Sequence, residues 1–106
     1  MIVIGLGTAE DFLTRYRRAS GIDLAQSHYR AWRQVVSHAK WRNPEELKQS
    51  YPKATVLGDR SVAFRMNGNK YVLLCQVHYR AGILAIRFFG TDTDYEKFER
   101  QAGVNG

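Results

Sequence analysis

Between Ser61 and Phe89, apolar and polar side chains alternate in three runs separated by glycine-containing turns, the period-2 signature of half-buried strands. In Ser61–Met66 the set Val62, Phe64 and Met66 alternates with Ser61, Ala63 and Arg65. Asn67-Gly68-Asn69 follows, and a two-residue turn at Asn67-Gly68 or at Gly68-Asn69 suits the left-handed dihedrals of a hairpin. Either register puts Phe64 on the face that carries Tyr71, Leu73, Cys75 and Val77, and leaves Arg65, Lys70, Val72, Leu74, Gln76 and His78 on the other. After a turn from Tyr79 to Gly82, the run from Ile83 to Phe89 adds Leu84, Ile86 and Phe88 to the apolar face and Arg87 to the opposite one. The pattern predicts an antiparallel sheet with one buried face, its open face holding Arg65, Lys70, His78 and Arg87 as a docking surface for a polyanion.

The remaining segments supply helices to cover the apolar face. Met1 to Ile4 reads as a strand, at an edge or in the centre. Thr8 is placed to cap a helix, with Asp11 in the capping-box position and Ala9, Phe12, Leu13, Tyr16 and Ala19 at helical spacing. Arg15, Arg17 and Arg18 fall largely off that stripe, as a solvated helix face. Gly21 is a stop signal. Asp23 opens a longer helix whose expected inner stripe is Leu24, His28, Ala31, Trp32, Val35 and Ala39, making His28 a core histidine. Asn43-Pro44 with Glu46 is a third helix start. Thr55 to Leu57 reads as a strand, Gly58-Asp59-Arg60 as its turn, and Thr93 to about Arg100 as a closing helix capped by Asp92. The expected class is α+β: an N-terminal strand and two helices packed on an antiparallel sheet of three or four strands, with a short C-terminal helix, all in one domain spanning 1–106.

Composition narrows the partners. The chain has 106 residues, a formal charge of +6 and a sequence pI near 9.8, which favours an anionic partner. A single cysteine, Cys75, excludes an intrachain disulfide and fits a reducing cytoplasm, and its apolar face makes it a small buried hydrophobe. No apolar run approaches the length of a membrane span, and Met1 to Ile4 is too short for a signal sequence. Gly5-Leu6-Gly7 lacks the third glycine of a dinucleotide loop, since Glu10 stands there. His28, His38 and His78 have no ligand spacing, so no metal site is expected. No serine elbow, Cys–His nucleophile pair or phosphate-binding loop occurs. Cations, tyrosines and a histidine around a small sheet remain as the candidate chemistry.

Several stretches together resemble one family. Trp32 with Ala39-Lys40-Trp41, Asn43 to Lys48, Tyr51 to Ala54, Val62 to Phe64, Asn67-Gly-Asn-Lys-Tyr71 and Ile86-Arg-Phe-Phe-Gly-Thr91 with Tyr95-Glu-Lys97 are similar to the HigB toxins, RelE-like members of type II toxin–antitoxin systems. The resemblance implies a cytoplasmic, metal-independent mRNA endoribonuclease that cuts codons in the ribosomal A site, takes no cofactor, and is silenced by a helix-turn-helix, HigA-like antitoxin. Its partners are then mRNA, the ribosome and that antitoxin, with no membrane.

Carried over residue by residue, the resemblance assigns phosphate chemistry to Arg65 and Lys70; Arg87, Asp92 and Tyr95 join them as candidate catalytic residues by their place on or beside the same face, and Tyr71, His78 and Lys97 as candidate RNA contacts. Preorganised cations can meet the charge that builds on a phosphate attacked by its neighbouring 2′-OH; loss of one such donor typically costs about 10²–10³ in rate. The chain departs from the family at two places. Val72 stands where an arginine usually follows the tyrosine, and Asp92 where a histidine usually follows Gly90-Thr91. An aspartate is a poor general acid at neutral pH and repels phosphate. Two functions of different class are therefore expected from these residues: an active mRNA interferase, or a catalytically weak RelE-fold protein that binds RNA, the ribosome or its antitoxin without efficient cleavage.

Overall fold

A computed structural model describes residues 1–58 and 60–104, with side chains through residue 100; Asp59, in the expected Gly58–Arg60 turn, lies outside the described residues. The order is β1 (Ile2–Ile4), α1 (Leu6–Arg15), α2 (Ile22–His38), α3 (Pro44–Ser50), β2 (Thr55–Leu57), β3 (Ser61–Met66), β4 (Tyr71–His78), β5 (Ile83–Thr91) and α4 (Asp92–Val104). The strands form a five-stranded sheet in the order β1-β5-β4-β3-β2. Strands β2 to β5 make the expected antiparallel meander, and β1 is an edge strand that runs parallel to β5. The parallel pairing follows from connectivity: α1 and α2 lie between β1 and the meander, so the chain crosses over one face before returning.

The β3–β4 hairpin takes the Gly68-Asn69 register, pairing Phe64 with Leu73 and Met66 with Tyr71. Val62, Phe64, Met66, Tyr71, Leu73, Cys75, Val77, Leu84 and Ile86 are all buried in one core with the helices, as their alternation required. Strand β5 breaks its alternation. Cys75 pairs with Ile86 but Leu74 pairs with Phe88, so Arg87 is the extra residue of a bulge. The expected placement of Phe88 in the main core is thereby corrected: the parity slip sends Phe89 into that core and turns Phe88 to the opposite face. Gly90 makes this possible, because a Cβ there would stand 2.7 Å from the Phe88 ring.

Helix α2 is rotated relative to the expected stripe. Its buried residues are Ile22, Ala25, Tyr29, Trp32 and Val36, while Leu24, His28, Ala31 and Val35 are exposed. The two stripes share Trp32, and the rotation is decided by area. Aromatic side chains bury about 150–250 Å² each, so seating Tyr29 with Trp32 removes more surface from water than seating Leu24 and a histidine. The two rings stack at 6.0 Å, and Trp32 meets Phe64 edge-on at 5.5 Å. Helices α1 and α2 start at glycines in the left-handed region, Gly5 and Gly21, rather than at Thr8 and Asp23. Helix α3 begins as its sequence indicated, with Asn43 Oδ1 accepting from the Glu46 amide at 2.9 Å and proline in the first turn. Among the described residues no helix is long and apolar enough to cross a membrane.

Candidate functional site

The sheet face opposite the helices is not open along its length. Helix α4 folds back over it, and Tyr95 packs on Ala63 and Val72 with Leu57, Leu74 and Phe88 around them. Phe98 stacks on Phe88 at 5.0 Å. The surface expected to be bare thus carries a second, smaller core. Val72 in its middle is fully buried, and the cations are pushed to its margins.

Three of the candidate side chains, Arg65, Asp92 and Tyr95, gather where β5 runs into α4, with the backbone of Lys70 beside them. The Arg65 guanidinium donates to Asp92 Oδ1 at 2.7 Å. The Asp92 amide donates to the Lys70 carbonyl at 3.1 Å, fixing the start of α4 to the hairpin. Capping falls to Thr91, whose hydroxyl accepts from the Asp94 amide at 3.1 Å, rather than to Asp92. The carboxylate of Asp92 is left for Arg65. Tyr95 lies within the field of this pair: burial, then the Glu99 carboxylate, raise its phenol above the ordinary value, Arg65 pulls the other way and Asp92 adds to the rise. The phenol is therefore protonated throughout the physiological range. The Arg65 and Asp92 side chains retain 30% and 47% of their exposure, so their pairing is worth at most about 1 kcal/mol and can open for a ligand.

The other candidates lie elsewhere. Arg87 donates to Gln76 Oε1 at 3.1 Å. Gln76 lies four residues along β4 from Val72, the cross-strand partner of Arg65, a separation of about 13 Å. His78 pairs with Ile83 at the far end of the strand. Lys97 is exposed on α4. Tyr71 is buried in the main core, and its phenol donates to the Ser20 carbonyl at 3.0 Å. The expected cluster of Arg65, Lys70 and Arg87 on one face therefore does not form: alternation aligned Arg65 with Arg87 but carried no information on their spacing along the strands.

Lys70 reaches the other way from Arg65. Its Cδ and Nζ lie 3.3 Å from where a Cβ on Gly21 would stand, so the ammonium lies over the turn between α1 and α2. Asn67 Nδ2 donates to the Gly21 carbonyl at 3.1 Å, and the Asn67 amide donates to His28 Nδ1 at 2.8 Å. His28, expected in the core, is an exposed clasp on the hairpin instead. These contacts bind the hairpin to the helical layer. Arg65 also borders a groove of about 770 Å³ between α2 and the edge of β3, whose ionisable lining includes His28 and Lys53 and no carboxylate.

A sequence model of the HigB toxin family, described as the RelE-like toxic component of a toxin–antitoxin system, matches residues 25–98. The chain belongs to the HigB toxin family. No curated protein matches it. The matched segment holds the meander, the Arg65–Asp92 pair and most of α4, whereas β1, α1 and the α1–α2 turn precede it. As a member of a toxin–antitoxin family the toxin has an antitoxin for a partner. Thr91 and His28 were the structural residues that sequence reading missed; the first had a legible signal, a threonine three residues before Asp94 at a strand-to-helix junction.

Proposed function

We propose that this HigB-family toxin is an endoribonuclease that cuts mRNA on ribosomes in the cytoplasm, using side chains alone, with Arg65, Asp92 and Tyr95 as its centre and Lys70 flanking it. The observation that carries the reading is the exposed Arg65–Asp92 pair anchored through the Asp92 amide to Lys70. In the reaction the ribose 2′-oxygen bonds to the adjacent phosphorus and the bond to the 5′-oxygen breaks, leaving a cyclic phosphate and a 5′-hydroxyl. Arg65 meets the charge on the non-bridging oxygens, while Lys70, whose ammonium lies over the α1–α2 turn, holds a flanking phosphate. Asp92, oriented by Arg65, takes the 2′-proton, and the protonated Tyr95 supplies one to the leaving oxygen. The ribosome aligns the message, so the toxin needs no deep pocket. Arg87, His78 and Lys97 then act as outlying RNA contacts, and an antitoxin of the helix-turn-helix, HigA-like kind as the silencing partner.

A second reading is favoured by one observation. The position after Tyr71 is a valine buried beneath Tyr95, and Asp92 occupies the guanidinium that a phosphate would need. This describes a RelE-fold protein that binds RNA or its antitoxin without efficient cleavage. Induced expression in a bacterium, with transcript ends mapped, separates the two. The nuclease arrests growth and leaves codon-aligned breaks, and Arg65→Ala lowers cleavage on programmed ribosomes by about 10²–10³. Normal growth with folded toxin accumulating, and intact message on the ribosome, would sink the nuclease and leave the binder.

A further inference from the structure

The strongest charged patch outside that centre is in the turn between α1 and α2. Arg15 ends α1, and Tyr16, Arg17 and Arg18 follow in sequence. All are exposed, and none of the three arginines forms an ion pair among the described residues, although Asp11 and Asp23 flank the turn in sequence. The hydrogen bond of Arg17 to the Thr14 carbonyl, at 3.3 Å, leaves its charge unneutralised. The helix dipole gives Arg15 a structural reason to sit at a C-terminus. It gives none to Arg17 and Arg18, which lie beyond the helix. Three adjacent cations repel one another, and no ion pair among the described residues offsets this.

Tyr16 is the second observation. Its ring is held against Phe12 at a centroid distance of 4.6 Å, yet 46% of the residue remains exposed. An exposed aromatic ring set among arginines is the arrangement that grips single-stranded nucleic acid, with bases on the ring and phosphates on the guanidiniums. Bases inside a duplex cannot reach such a ring. The patch is also joined to the candidate centre: Lys70 lies over Gly21 at the end of the turn, and its carbonyl holds the Asp92 amide next to Arg65.

We infer that Arg15, Tyr16, Arg17 and Arg18, continued by Lys70, form a binding surface for the single-stranded RNA that flanks the bond at the Arg65–Asp92 centre. Apart from Lys70, the surface precedes the segment matched by the family, so it rests on this chain's own residues. It extends the RNA reading above but does not depend on cleavage. A strand of RNA leaving the centre passes Lys70 and lies along the turn, where each phosphate neutralised releases counterions.

The test uses the full chain and a fluorescent 2′-O-methyl RNA of about a dozen nucleotides, which cannot be cut, with anisotropy followed across potassium chloride concentrations. Changing Arg15→Gln, Arg17→Gln and Arg18→Gln together is expected to make the log–log salt slope shallower by about 2, at about 0.7 per lost phosphate contact, and to weaken binding by roughly tenfold or more at moderate salt. The thermal midpoint should stay within a few degrees, since the three side chains are exposed. Tyr16→Ala should weaken binding while leaving the slope unchanged. Arg30→Gln with Lys48→Gln, removing charge from the outer sides of α2 and α3, should leave affinity for the RNA nearly intact. An unchanged slope in the triple variant overturns the inference even if the toxin cleaves mRNA. A lost slope supports it even if the toxin proves inactive as a nuclease. Tighter arginine-dependent binding to an RNA duplex, or to polyglutamate, than to the single strand would also overturn it, assigning the patch to folded ribosomal RNA or to an acidic protein.

Discussion

Replacing Val72 with arginine tests the covered sheet face directly. Val72 is fully buried between Ala63 and Tyr95, and its cross-strand neighbours are Arg65 on one side and Gly90 on the other. Losing the buried valine forfeits about 1.5–3 kcal/mol. Forcing a longer side chain under α4 costs a further 1–3 kcal/mol or so. The new guanidinium stands opposite Arg65, which is unfavourable, and can recover at most about 1 kcal/mol by sharing the half-exposed Asp92 carboxylate. The expected net loss is about 2–6 kcal/mol, a large part of the 5–15 kcal/mol typical of a domain. Urea denaturation measures it as a lower midpoint. Hydrogen exchange should show the amides of residues 95 to 98 losing protection before those of the main core, because α4 must lift to release the charge. With Asp92→His added, lifting of α4 frees a cation and a histidine on one surface, and growth inhibition on expression should deepen. A Val72→Arg protein within about 1 kcal/mol of the parent, with α4 still protected, would refute the account of a second core.

Two further outcomes are expected. Gly21 and Gly68 both lie in the left-handed region, with φ of 77° and 64°, but a Cβ on Gly21 would stand 2.5 Å from Asn67 Nδ2 while one on Gly68 meets nothing within 4 Å. Gly68→Ala should therefore cost about 1–2 kcal/mol and Gly21→Ala about 1 kcal/mol more, through loss of the Asn67 bond; equal urea midpoints would show that the hairpin is not held there. The second concerns alkaline pH. Burial raises the phenols of Tyr29, Tyr51, Tyr79 and Tyr95, so the folded state keeps these protons after the unfolded chain has lost them. Their contribution to stability is intact below pH of about 10 and is lost as pH rises beyond it. Unfolding free energy measured by denaturant at pH near 8 and near 11 should fall accordingly, and a rise would contradict the burial.

Alternation and turn chemistry in the sequence determined the meander: Phe64, Leu73, Cys75 and Leu84 are buried where period 2 put them, and Asn43-Pro44 starts its helix. These features are local, set by side-chain direction and backbone dihedrals within a few residues. Which cations share a site was decided only by tertiary structure. Arg65 and Arg87 have the same parity, yet the bulge at Arg87 and the position of each along its strand set them apart, and α4 covers the surface between, its Tyr95 packing beside Phe88 of β5. The rotation of α2 was equally global, because Trp32 belongs to both candidate stripes and the choice depends on what Tyr29 and Trp32 meet across the core. A pattern of apolar and polar positions fixes which way a side chain faces. Long-range packing fixes how far along the element it stands, what covers it, and therefore which charges come close enough to act on one phosphate.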